Sequence, residues 1–368
     1  MTTAHYLMVG GFLGAGKTTA VLRAGEYLAG QGRRVGLIMN DQSESLVDTA
    51  LARAQSFPVE EIAGGCFCCR FNSLVDAAAR LTRDARPDVF LAEPVGSCTD
   101  LSATVAIPLR QMFGDRFRVA PLSVLVDPDR ALRILGLETG RSFSPKVLYV
   151  YGKQLEEADV LVINKIDGLQ GDRREALKQA LESRYPSAQV LEISARTGEG
   201  IGEWIDLLLT GRSSGRVLDI DYDMYAEGEA LLGWLNCTAA LEGNGVDADE
   251  FLMTLAGGIH TDLSSTGVEV AHLKLTLVPP GLAGISVVNA TRTDARPTLA
   301  FALDATVDEA EITVNVRAEC DPEHLERAVR QAVARANQNG SHSVIIEHLE
   351  CFRPGRPVPT HRMGAAAR

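Results

Sequence analysis

The stretch Tyr6-Leu7-Met8-Val9-Gly10-Gly11-Phe12-Leu13-Gly14-Ala15-Gly16-Lys17-Thr18-Thr19 decides how the chain is read. An apolar run of strand type enters a glycine-rich turn, and an amphipathic segment of helix type follows over 19–28. Between them, Gly11 to Thr18 satisfies GxxxxGK[ST] in the strand–turn–helix setting that this motif needs. The glycines let backbone N–H groups curl inward toward phosphate oxygens, at the positive end of the following helix. Gly11, Gly14, Ala15, Gly16 and Thr19 then line a cradle, Lys17 reaches the β- and γ-phosphates, and the Thr18 hydroxyl ligates Mg2+. A glycine-rich turn with an incidental lysine is the plainer alternative, and the flanking pattern disfavours it.

Working outward, short apolar runs at 6–9, 35–39, 89–92, 123–126, 160–163 and 190–193 alternate with amphipathic segments such as 74–81 and 173–184. Nearly unbroken apolar strands separated by helices predict an α/β fold, a mostly parallel sheet covered by helices, over residues 1–210. Gly211-Arg212-Ser213-Ser214-Gly215 has linker composition, so 211–219 is read as a linker. Residues 220–355 then run strand–helix–strand twice, with Asp247 and Asp321-Pro322 as helix starts and a hairpin near 285–302. That order predicts a smaller α+β domain of ferredoxin-like type. The segment 356–368 is expected to be a disordered tail.

The composition narrows the function classes. A formal net charge of −12 over 368 residues argues against non-specific binding to nucleic acid or to an anionic membrane surface. No apolar run approaches the roughly 20 residues of a membrane span, and no secretory leader precedes the first strand. Seven cysteines, three of them within four positions, suit a reducing cytoplasm and metal binding better than a disulfide framework.

Three further segments fall at strand ends. Asn164-Lys165-Ile166-Asp167 matches NKxD, in which the Asp167 carboxylate accepts from the N1–H and 2-amino groups of guanine; adenine would leave it unpaired. Ser194-Ala195-Arg196-Thr197-Gly198 matches the loop whose backbone N–H meets the guanine O6. Glu93-Pro94-Val95-Gly96 stands where DxxG is usual, with Glu93 holding Mg2+ and Gly96 meeting the γ-phosphate. Asp41, after the second strand, either enters the Mg2+ shell or caps a helix.

Gly64-Gly65-Cys66-Phe67-Cys68-Cys69 is the remaining signal. In an extended segment Cys66 and Cys68 would face one way and Cys69 the other. Two thiolates on one side make half of a soft-metal site suited to Zn2+. Only His5 lies in the first 250 residues, so further ligands would be Asp41 or Glu44, Cys98, a second subunit, or a later histidine. Small buried cysteines in a core are the plainer alternative.

The P-loop, Asn40-Asp41, Gly65-Cys66-Phe67-Cys68-Cys69, Glu93–Gly96 and Asn164–Asp167, in that order, resemble the CobW/UreG/HypB group of GTPases, and CxCC marks its CobW-like branch. The resemblance covers about residues 5–210. It implies GTP/GDP and Mg2+ at the P-loop, with Lys17 and Glu93 as catalytic groups and Asn164, Lys165, Asp167, Ser194 and Ala195 around the base. It further implies a transition metal at Cys66, Cys68 and Cys69, with Zn2+ first and Co or Ni as alternatives. Slow hydrolysis would time metal delivery to a client metalloenzyme, with GTP pairing two subunits. Arg70-Phe71-Asn72-Ser73 departs from the Ser/Leu/Arg run common in this branch, and Asn40-Asp41-Gln42-Ser43 from its usual NEFG. The other readings are a GTP-gated chaperone of a corrinoid enzyme, whose cysteines carry no ion, and a small-metabolite kinase, which has no use for NKxD.

Overall fold

The computed structural model describes residues 3–40, 57–282, 284–340 and 342–364. They divide into two compact units, one holding the described residues up to Ala226 together with 357–364, the other Glu227–Arg356.

In the first unit, β1 (Ala4–Gly11), β2 (Val35–Asn40), β3 (Val59–Ile62), β4 (Val89–Glu93), β5 (Phe117–Val119), β6 (Ser123–Val126), β7 (Val160–Ile163) and β8 (Gln189–Glu192) form one sheet. Its order is β3-β2-β4-β1-β6-β7-β8, with β5 also on β1, and every pairing is parallel. Strands β2, β4, β6 and β7 are buried at every position, so both of their faces are covered, as their unbroken apolar sequences require. Strands β2 to β4 lie on one side of β1 and β6 to β8 on the other. The crevice beyond the carboxyl end of β1 is therefore the topological switch point, where open α/β sheets bind ligands.

Two segments of this unit are held by contacts with distant parts of the chain. The segment 211–219 is pinned rather than free: the Ser214 N–H donates to Asp159, and the Arg216 guanidinium donates to the carbonyls of Glu156 and Ser187. Residues 357–364 lie against the cysteine segment, where their polar groups find partners.

The second unit holds β9 (Leu232–Asp247), β10 (Glu269–Val278), β11 (Ser286–Ala290), β12 (Thr298–Phe301), β13 (Thr306–Glu319) and β14 (His342–Phe352) in the order β12-β11-β10-β13-β9-β14. All pairings are antiparallel. Helices Ala248–Ser265 and Pro322–Ala336 follow β9 and β13, which is the ferredoxin-like arrangement with the β11–β12 hairpin added beyond β10. Asp247 caps the first of these helices, accepting from the N–H groups of Asp249 and Glu250. Leu252, Leu255 and Ile259 from one helix and Leu325 and Val329 from the other share a core with Leu273, Leu275, Ile312 and Val314. Among the described residues, no helix is long and apolar enough to cross a membrane.

Candidate functional site

The loop from β1 into the helix Lys17–Gly30 is built on backbone that side chains would obstruct. Gly11, Gly14 and Gly16 have φ of 134°, 80° and 86°. A Cβ on Gly11 would lie 2.6 Å from the Leu125 carbonyl oxygen, and one on Gly16 2.5 Å from Asn164 Nδ2. Such a curl, opening at a helix N-terminus, fits a polyphosphate. Lys17 is buried, with Nζ 3.5 Å from the Phe12 carbonyl and 4.0 Å from Glu93 Oε1. Thr18 Oγ1 donates to the same Glu93 oxygen at 3.2 Å. A hydroxyl and a carboxylate beside an ammonium form a donor set that suits Mg2+ with a phosphate. Gly96 presses on this loop, since a Cβ there would lie 2.8 Å from Leu13 Cδ2 and 3.0 Å from Lys17 Nζ.

The loops carrying Asn164–Asp167 and Ser194–Gly198 converge on the glycine-rich loop. The Asn164 amide donates to the Ala15 carbonyl at 2.9 Å and accepts from the Ala195 N–H at 3.0 Å, joining the loops after β1, β7 and β8. Lys165 Nζ donates to the Gly14 carbonyl at 2.7 Å and to Asp127 Oδ2 at 2.6 Å. Asp167 accepts from Ser194 Oγ at 2.6 Å and pairs with Arg196. The Arg23 guanidinium anchors the last loop on the carbonyls of Ala195 and Arg196.

Asp127 was missed by the sequence reading. It directly follows β6, caps the helix Pro128–Ile134 and is buried; burial pushes its carboxyl up, but the charges of Lys165 and Arg130 outweigh this and hold it at about 2. Its signal was available: an Asp-Pro pair directly after an apolar strand is a helix start. Arg23 left no signal.

The cysteine segment contradicts the alternation expected of an extended chain. It turns, with the Arg70 N–H donating to the Cys66 carbonyl at 2.9 Å, so all three side chains gather on one side. Cys66 Sγ lies 2.8 Å from Cys68 Sγ and 3.1 Å from Cys69 Sγ, and all three sulfurs fall within 4.8 Å of one another. Asn40, at the end of β2, shapes the turn. Its amide donates to the carbonyls of Ile62 and Gly65 and accepts from the Phe67 N–H at 2.9 Å. Asp41 and Glu44 lie outside the described residues.

Hydrogen bonds with Cys68, Cys69 and Cys98 pull the Cys66 thiol far below its usual range. The bond to Cys66 raises Cys68, and Cys69 is pushed up to about 11, chiefly by its own bond to Cys66. Three thiols this close to one another suit a soft cation, which would displace their protons. Tail residues close over it. The Val358 N–H donates to Cys69 Sγ at 3.3 Å, the Thr360 N–H to the Cys68 carbonyl at 2.8 Å, and Thr360 Oγ1 to the Cys69 carbonyl at 3.0 Å. His361, one of the candidate ligands, instead packs edge-on against Phe71 with ring centroids 5.0 Å apart. Arg362 anchors this strap on Asp100 Oδ2 at 2.7 Å and on the Leu218 carbonyl at 2.8 Å.

Between nucleotide loop and cysteine cluster runs the segment after β4. Gln154 Nε2 donates to the carbonyls of Gly96 at 3.0 Å and Cys98 at 2.8 Å, a role that no local pattern announced. Glu157 accepts from Thr99 Oγ1 at 3.2 Å and from the Ser102 N–H at 3.3 Å. Burial, and then the charge of Asp100, raise this carboxyl from 4.5 to about 8 against those hydrogen bonds.

Two outcomes follow. Between pH 4.5 and about 8 the folded chain holds a proton on Glu157 that the unfolded chain has lost. Stability therefore declines as pH rises through that window, by at most about 1.4 kcal/mol per pH unit. Glu157→Gln should remove this component, measured as denaturant midpoints of the two proteins at pH 6 and pH 8.5. Arg362→Ala deletes a charge-assisted contact worth about 1.5–3 kcal/mol. Amide exchange at Thr360 and Met363 should then quicken at least about tenfold, read by hydrogen–deuterium exchange.

A family model for the CobW/HypB/UreG nucleotide-binding domain matches residues 5–192, half of the chain. The hydrogenase maturation factor HypB of Azotobacter vinelandii is 28% identical across 52% of this chain and 55% of its own length. The zinc chaperone CobW of a Sinorhizobium species is 25% identical, with coverages of 52% and 59%. The zinc chaperone YeiR of Escherichia coli is 26% identical, with coverages of 54% and 57%. The chain thus spans little more than half the length of these relatives. Among solved structures, HypB from Helicobacter pylori in complex with nickel aligns at 16% identity and a TM-score of 0.41, over 56% of this chain and 86% of that one. Zn(II)-bound YjiA GTPase from Escherichia coli aligns at 14% identity and a TM-score of 0.34, over 90% and 99%. A match of this extent, lying over the P-loop, the cysteine cluster, Glu93 and Asn164–Asp167, places the chain in the CobW/HypB/UreG family, in its CobW-like branch.

Proposed function

We propose that the protein hydrolyses GTP slowly and uses the nucleotide state to carry a transition metal, Zn2+ first, to a client metalloenzyme in the cytoplasm. One observation carries this reading: the segment after β4 leaves the nucleotide loop at Gly96 and reaches the sulfur cluster within two residues, at Cys98. The zinc-chaperone names of two relatives support Zn2+ as the cargo.

The chemistry assigned to the chain is limited. Thr18 and Glu93 would hold Mg2+, which supplies charge neutralisation on the phosphates. Lys17 draws charge from the γ-phosphoryl oxygens as the bond to the leaving diphosphate breaks. The backbone N–H groups of the Gly11–Thr18 turn and of Gly96 keep the phosphate oxygens in place. Asp167 selects guanine, and the Asn164 bridge holds the base-side loops in register. Pairing of two chains when GTP is bound belongs to the same proposal.

Metal content separates this reading from a chaperone whose cysteines carry no ion. Full-length protein dialysed against Zn2+ should retain about one ion per chain with a non-hydrolysable GTP analogue, and bind it more weakly with GDP. The absence of stoichiometric zinc in both states, or zinc content untouched by Cys66→Ser with Cys68→Ser, would sink the proposal. Asp167→Asn should weaken GTP binding by about 1–3 kcal/mol. It should also favour xanthosine triphosphate, whose 2-oxo group accepts from the new amide, as competition binding would show.

A further inference from the structure

We propose, resting on the part given to Gly96 above, that Gln154 is a positioning residue for GTP hydrolysis. Its side-chain amide fixes where the Gly96 N–H meets the γ-phosphate.

Gln154 lies on the helix Pro145–Glu157, where Tyr151, Gln154 and Glu157 share one face at a spacing of three. Each of them reaches a different part of the site. The Tyr151 ring meets the Phe12 ring of the phosphate loop edge-on, with centroids 5.6 Å apart. Gln154 Nε2 donates to the carbonyls of Gly96 at 3.0 Å and Cys98 at 2.8 Å. Glu157 accepts from Thr99 Oγ1 and the Ser102 N–H, further along the same segment. One helix face thus ties the phosphate loop to the segment after β4, and Gln154 is the tie that holds Gly96.

Packing alone does not account for an amide at this position. Its donor end makes two bonds, whereas Oε1 is buried with no hydrogen-bond partner among the described residues. A buried acceptor left unpaired is costly, and a leucine of similar size would carry no such penalty. Two carbonyls on one side also settle which end of the amide is the nitrogen. The turn itself needs the support. Ser97 Oγ is 0% exposed and likewise without a partner, and the turn closes on the bond from the Cys98 N–H to the Val95 carbonyl at 3.0 Å.

Gly96 has little freedom in where it sits. A Cβ there would lie 3.0 Å from both the Leu13 nitrogen and Lys17 Nζ, so its backbone runs directly against the loop and its ammonium. An N–H fixed at this point adds to the charge that Lys17 draws from the γ-phosphoryl oxygens as the bond to the diphosphate breaks. GDP has no γ-phosphate to meet it. The influence of Gln154 is therefore confined to the triphosphate.

Turnover and nucleotide affinity of the full chain with Mg2+ test this in the unaltered protein, Gln154→Leu and Gln154→Glu, with folding checked by thermal melting. At neutral pH both variants should lose at least about tenfold in kcat, since a misplaced group near the reacting atoms costs up to about a hundredfold. Affinity for a non-hydrolysable GTP analogue should fall at least about threefold, while affinity for GDP stays unchanged. Lowering the pH protonates the carboxyl of Gln154→Glu, whose O–H then donates to one of the two carbonyls. Its kcat should climb toward that of the unaltered protein, and that of Gln154→Leu should not. Glu157 and Asp100, the other acids of this region, are common to both variants, so the contrast belongs to position 154. Unchanged kcat in both variants would overturn the proposal and make Gln154 a packing residue. So would an equal loss of affinity for GDP and the analogue, or pH profiles of the two variants that run in parallel. Absence of GTP turnover in the unaltered protein would instead overturn the reading of the nucleotide site itself.

Discussion

The missing side chain of Gly16 is the constraint on which the rest of the first unit depends. Asn164 Nδ2 occupies the space within 2.5 Å of where a Cβ would be, and from there it bonds the Ala15 carbonyl. The opposite end of the same amide takes the Ala195 N–H. Three loops from three strands are thus locked together by one side chain. Lys165 adds a second lock, joining the Gly14 carbonyl to the buried Asp127 carboxylate. The charges of Lys165 and Arg130 hold that carboxyl at about 2.

A similar economy shapes the cysteine cluster. Asn40 satisfies two carbonyls and one N–H of the turn that carries the sulfurs, so a segment without regular structure keeps its backbone polar groups paired. The sulfurs then lie within hydrogen-bonding reach of one another, 2.8 and 3.1 Å from Cys66 Sγ. Tail residues cap the arrangement from outside, and their anchor Asp100 adopts a φ of 62°, a backbone cost set against its bonds to Tyr222 and Arg362.

Much of the nucleotide side was legible because each motif is local. A turn of fixed length after a buried strand can only place its side chains at the carboxyl edge of a parallel sheet, so GxxxxGKT, NKID and SARTG converge once the sheet is recognised. The helix starts at Asp247 and Asp321-Pro322 were legible for the same reason. The cysteine geometry was not, because an extended reading takes no account of the Asn40 contacts made 25 residues away. Gln154 and the tail strap bridge 56 and 289 residues of sequence, separations at which spacing carries no information.

By itself, then, the sequence determined the parallel sheet, the glycine-rich loop before the first helix and the presence of three clustered thiols, all of which follow from periodicity and short-range spacing. Only the tertiary structure decided that the three thiols face one another, and that the tail closes over them. These are contacts between loops whose own residues impose no regular structure, and their positions are set by whichever distant side chains satisfy their backbone groups.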